Sequence, residues 1–111
     1  MNLFDLSGIS ADIDTETFDQ LLSTQGVMIE RIVSQAHASP EGYWYDQHWH
    51  EWVVILQGSA GVQIEGEPEA RRLRVGDSLY LRAHHRHRVA WTDPDQTTIW
   101  LAVHIGKQAD E

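Results

Sequence analysis

Gly42 to Gly58 reads GYWYDQHWHEWVVILQG, and its division into a polar front and an apolar back decides the fold. The back half, Glu51 to Leu56, is β-branched and aromatic and stops at Gln57-Gly58-Ser59. It reads as a buried strand entering a hairpin. The front half holds Asp46, Gln47, His48, His50 and Glu51, side chains that offer lone pairs. Polar groups set against a strand that must be buried belong at the mouth or on the inside of a β-structure. Side chains alternate along a strand, so Glu51 shares a face with Trp49 and Gln47. His48 and His50 point the other way unless a bulge or an irregular loop intervenes. A second cluster, His84, His85 and His87, stands before another apparent strand. The expected fold brings the two clusters together.

On both sides of this hairpin the chain falls into short strands separated by glycine turns. Val27 to Val33, Glu51 to Leu56, Ala60 to Ile64, Arg71 to Val75, Ser78 to Leu81, Arg88 to Trp91 and Thr97 to Val103 read as strands. Gly66-Glu67-Pro68 and Gly76-Asp77 supply turns between them. Such regular spacing indicates an all-β sandwich or barrel. Asp14 to Leu22, DTETFDQLL, is the exception and is expected to form a short helix. Asp14 would cap it, Glu16 would sit in its first turn, and Phe18, Leu21 and Leu22 would share one face. The expected organisation is an N-terminal segment with a short helix over 1–26, a β-barrel over 27–105 and a flexible tail over 106–111.

A chain of 111 residues suits a single core, and its 41% hydrophobic content with five Trp is globular composition. There is no cysteine, so disulfides and thiolate metal sites are excluded. The net charge of −9 opposes phosphate backbones, which argues against a nucleic-acid partner. No run of about 18 apolar residues occurs, so no membrane partner is expected. The first residues lack a basic segment followed by an apolar one, and a cytoplasmic location is the expectation. Trp52 to Leu56 is apolar on both faces, and such a strand needs cover on both; a homodimer is the expected source.

The chain resembles the cupin superfamily over roughly residues 27 to 105. Glu51-WVVILQ-Gly58 has the spacing with which that family's first motif ends. Gly76, followed through Arg82 and His84 to His87, keeps the first glycine and the histidine of the second motif. Arg82, His84 and Trp91 stand where the family has proline, glycine and asparagine. The family's His-x-His pair would fall on Tyr45-x-Gln47 or Trp44-x-Asp46, while the chain's own pair, His48-Trp49-His50, lies out of that register. The resemblance implies a double-stranded β-helix, or jelly-roll, barrel with the short N-terminal helix outside it. It also implies a divalent transition metal such as Zn, Fe, Ni or Mn, with isomerase, lyase or dioxygenase chemistry on sugars or organic acids.

Candidate residues follow from both lines. His87 occupies the family's ligand histidine, and a neutral imidazole suits such metals when its second nitrogen is held. Glu51, a carboxylate at the inner head of a strand, is a candidate ligand or catalytic acid–base, or else the partner of an arginine such as Arg82 or Arg88. His48, His50 and Gln47 complete the candidate ligand set. Trp49, Tyr45 and Arg82 are candidates for a small-molecule pocket. His37 is read as a surface-loop residue and His104 as a rim residue at the end of the last strand. Two functions fit these residues: a metal-dependent small-molecule enzyme, and a binding or sensing module without a reactive metal.

Overall fold

Gly58 sits at the hairpin where the sequence places it, with φ of +80°. A Cβ there would lie 2.9 Å from the Thr98 Cα, so the turn needs glycine both for its left-handed backbone and for this close approach. A computed structural model describes residues 1–107. The strands are β1 (Thr15–Thr24), β2 (Val27–Gln35), β3 (His50–Gln57), β4 (Ala60–Ile64), β5 (Arg71–Leu73), β6 (Ser78–Leu81), β7 (His87–Thr92) and β8 (Thr98–Ile105). They form a five-stranded sheet in the order β1-β2-β8-β3-β6 and a three-stranded sheet in the order β5-β4-β7. The all-β expectation holds. Of the tail expected over 106–111, residues 108–111 lie outside the described residues.

The two sheets face each other across one core. Ile32, Val53, Ile55, Trp100 and Ala102 come from the larger sheet, and Ala60, Val62, Ile64 and Leu73 from the smaller. These are the inward positions of a period-2 pattern, which is why β3 reads as alternately buried and half-buried. Ile55 and Ile99 are wholly buried.

The helix expected over Asp14 to Leu22 is not formed; that stretch is the edge strand β1. Thr15 and Thr17 are β-branched, and β2 supplies an antiparallel partner from Thr15↔Gln35 to Thr24↔Val27. The helical appearance has a local cause. The register shifts between Gln20 and Leu22, so Leu21 is an extra residue that breaks the alternation and makes the apolar spacing look helical. Asp14 caps nothing. It takes φ of 63°, and its N–H donates to the Gln35 carbonyl at 2.6 Å, closing the open end of the hairpin.

Residues 3–5 are tied to the outside of this hairpin by Arg31. Its guanidinium is buried and pairs with Asp19 at 2.7 Å, while Nη1 donates to the carbonyl oxygens of Leu3 and Asp5. Antiparallel register then sets the site. Glu51 lies opposite His104, and Glu30 opposite Ala102. Three adjacent strands therefore carry polar side chains toward one end of the barrel interior.

Candidate functional site

The barrel holds a cavity of about 80 Å³ that is open to solvent. Its floor is apolar, with Ile32, Val53, Val62 and Trp100; its upper wall is polar, with Glu16, Glu30, Gln47, Glu51, His87 and His104, and Tyr45 beside them. Every strand of this wall uses the same parity as its core residues, so the sheet that makes the core also aims the polar groups.

His87 begins β7 and is only 7% exposed. A backbone bridge joins it to Tyr45: Tyr45 N–H donates to the His87 carbonyl at 2.7 Å, and His87 N–H donates back at 3.1 Å. The two rings stack with centroids 5.4 Å apart. His87 Nδ1 lies 3.0 Å from the His85 carbonyl oxygen, which can only accept. Nδ1 therefore carries the proton and Nε2 presents a lone pair to the cavity. The Tyr45 hydroxyl is pushed up to about 12, first by burial and then by Glu16 and other neighbouring groups, so it stays protonated at neutral pH.

Glu51, also 7% exposed, receives the Gln47 amide at 3.1 Å on Oε1. Among the described residues no ion pair joins it to Arg82 or Arg88. Arg88 instead donates to the carbonyl oxygens of Ser39 and Pro40. The salt-bridged reading of Glu51 therefore drops out.

Two acids in the wall were not among the candidate site residues, Glu16 having been expected in the first turn of a helix. Glu30 accepts from His104 Nε2 at 2.7 Å, and Trp49 Nε1 donates to His104 Nδ1 at 2.9 Å. An indole N–H can only donate, so the imidazole is the neutral Nε2–H tautomer with both nitrogens engaged. His104, expected at the rim, is 4% exposed, because it continues the inward row Trp100, Ala102, His104. Glu16 accepts from Ser34 Oγ at 3.3 Å, and His37 Nε2 approaches it to 3.7 Å. Burial raises the Glu16 carboxyl above the ordinary range; Glu30 and Glu51 add to this, while His37 and Ser34 oppose it. His37 is thus packed at the cavity edge, 18% exposed, instead of lying free in a surface loop. Glu16 and Glu30 sit two residues from Phe18 and Ile32, which share their cavity-facing side, and alternation links each pair without saying which side is the core.

Strand parity places His50 outward, but not Trp49, which the bend at His48 and Trp49 turns away from the cavity. The chain bends at His48 and Trp49, yet the bend turns neither histidine inward. His50 lies on the outer face of β3, where its Nδ1 accepts the Ala83 N–H at 3.0 Å and its ring meets Tyr80. His48 is exposed, with its ring edge-on to Trp49. Trp49 stands behind the cavity wall and reaches it only through His104. Arg82 is exposed and does not line the cavity. The basic rim is largely paired off, His84 with Asp46 at 2.9 Å and Arg86 with Glu65 at 2.6 Å.

Tyr45, Gln47, Glu51 and His87 line the cavity at the positions where the sequence resemblance places four metal ligands. The donors do not suit a metal. Among the described residues no three His, Asp or Glu side chains are grouped to hold an ion. Tyr45 keeps its proton, Gln47 turns its amide nitrogen to Glu51, and His104 has no lone pair to give. Of the four positions the resemblance points to, that leaves His87 and Glu51, short of the three or four protein donors a transition-metal centre uses.

Residues 32–104 match the family model described as Cupin domain. A protein of Ralstonia eutropha JMP134, provisionally described as a mannose-6-phosphate isomerase, is 47% identical. The match covers 96% of this chain and 97% of that one, with a TM-score of 0.88. An RmlC-like cupin from Shewanella frigidimarina NCIMB 400 is 17% identical over 87% of this chain and 81% of its own, TM-score 0.72. An RmlC-like cupin family protein with a double-stranded β-helix fold from Methanocaldococcus jannaschii is 17% identical over 88% and 86%, TM-score 0.67. The last two likenesses concern the fold alone. No curated protein matches the chain.

Proposed function

Because the chain belongs to the cupin family, by its match over residues 32–104 and its 47% identity to the R. eutropha protein, we propose that it binds a small hydroxyl-rich, sugar-like molecule in its barrel and moves a proton of that molecule through Glu51. One observation carries the reading. Glu51 is buried at the cavity wall with one oxygen held by Gln47 and the other facing the cavity, beside a His87 whose Nε2 lone pair is free of protein partners. Both groups accept hydrogen bonds, so a ligand must bring donors, and hydroxyl groups do so. The provisional description of the R. eutropha protein, a mannose-6-phosphate isomerase, supports the hydroxyl-rich sugar part of this reading and not a phosphate group.

The chemistry needs no metal. Glu51 would take a proton from carbon or oxygen beside a carbonyl and return it to the neighbouring position. His87 Nε2 would hold the adjacent hydroxyl, and the protonated Tyr45 hydroxyl would donate to the developing oxyanion. Gln47 fixes the Glu51 rotamer. The apolar floor shields the exchange from bulk water.

The experiment is proton exchange. Monosaccharides are incubated with EDTA-treated, untagged protein in deuterium oxide, and label at carbon is followed by NMR. Label expected with the parent should vanish with Glu51→Gln while binding, followed by thermal shift, persists. Binding without label would leave a binding module and remove the enzymatic half. About one tightly held transition metal per chain, lost in His87→Ala, would overturn the metal-free chemistry.

A further inference from the structure

We propose that the barrel is selective for a positively charged ligand, a small hydroxylated molecule bearing an amine, and rejects organic acids and sugar phosphates. This deepens the proposed function and rests on the same cavity.

The charge count inside the wall is one-sided. Glu16, Glu30 and Glu51 reach the cavity from β1, β2 and β3, and among the described residues no lysine or arginine lines it. The groups that face these acids are mostly neutral. Glu51 has the Gln47 amide, and Glu30 has the Nε2–H of a His104 whose Nδ1 is capped by Trp49. Glu16 has the Ser34 hydroxyl, with His37 3.7 Å away at the cavity edge. His87 is held by the His85 carbonyl and Tyr45 keeps its phenolic proton. The nearby basic residues are anchored elsewhere: Arg88 on Ser39 and Pro40, Arg31 on Asp19 and the N-terminal carbonyls.

Three carboxylates in a partly desolvated space repel one another and any incoming anion. The upward push that Glu30 and Glu51 exert on Glu16 registers that repulsion. An ammonium group relieves it, and it brings only donors to a wall made of acceptors. Phe18, Tyr45 and Trp100 also line the cavity, and aromatic rings attract such a cation. The second, independent sign of a ligand is His87, nine-tenths buried, with Nε2 unpartnered and turned to the cavity.

One scaffold in three charge states provides the test. Glucosamine, glucose and glucose 6-phosphate are titrated into the full chain by calorimetry in EDTA, so that stray metal cannot supply positive charge. The amine should bind roughly tenfold or more tighter than the neutral sugar, and the phosphate more weakly than either. Glu16→Gln should cut the amine preference several-fold. Equal binding of amine and neutral sugar, or tighter binding of the phosphate, would overturn the charge selectivity while leaving the proposed function standing. Silence from all three sugars would sink the proposed function and this inference with it.

Discussion

Trp49 Nε1 donates to His104 Nδ1 at 2.9 Å, and so a residue outside the cavity sets the protonation pattern inside it. With Nδ1 occupied, His104 must offer its proton from Nε2, and Glu30 accepts it at 2.7 Å. Trp49→Phe keeps most of the ring and removes the donor. A buried acceptor left without its partner costs on the order of 1–3 kcal/mol. Urea unfolding should show the midpoint falling by that equivalent, and nitrogen NMR should show His104 losing its single Nε2–H form. An unchanged midpoint together with an unchanged tautomer would refute the relay.

Tyr45 is the tyrosine whose ionisation should be late. Burial, then the charge of Glu16, lift it to about 12. The folded value lies above the ordinary 10, so the folded chain holds this proton more tightly than the unfolded chain. The stability this contributes is complete below pH 10 and drains away as pH climbs toward 12. Ultraviolet titration should resolve one late tyrosinate step among the three tyrosines, and Tyr45→Phe should delete that step alone. If all three ionise together near 10 in the folded protein, the buried acidic surroundings of Tyr45 are wrong.

Glu16 supplies the complementary case. Burial raises its carboxyl, so the contribution of this group is fully present below the ordinary 4.5 and is lost as pH rises through the higher folded value. At neutral pH the charged form is a burden. Glu16→Gln should therefore raise the melting temperature by a few degrees at pH 7, with the Ser34 hydroxyl still donating to the amide oxygen. The gain should shrink toward zero below pH 4.5. A variant less stable than the parent at pH 7 would contradict the assignment. Its loss of ligand selectivity alongside a gain in stability is the pattern expected where a site keeps a strained charge.

The hairpin at Gly58, the inward direction of Glu51 and the outward direction of His50 were legible because each depends on local alternation and one glycine turn. The site was only half legible, for physical reasons. Glu16 and Glu30 face inward because β1 pairs with β2 and β2 pairs at long range with β8, and alternation alone does not say which face of such a strand is turned to the core. His104 needed knowledge of which side of β8 Trp100 takes. The bulge at Leu21 disguised β1 as a helix. Conversely, the adjacent His48 and His50 drew attention through composition, although parity already pointed them away from Glu51.

The outer face of the large sheet carries a row of apolar side chains. Register places Trp52 beside Val103 and Tyr80, Val103 beside Ile29, and Val54 beside Leu101. This row is half-buried or exposed, with Tyr80 at 49%, and it runs across four adjacent strands. A contiguous apolar face on a chain of net charge −9 is costly to leave in water. A second copy laid on it would bring the same apolar row to meet its own, as a two-fold interface requires. Sedimentation at micromolar concentration should give a dimer, and Trp52→Glu with Val103→Glu should give a folded monomer with its cavity intact. A monomeric parent protein at that concentration would rule the interface out. A dimer that survives both substitutions would place the contact elsewhere.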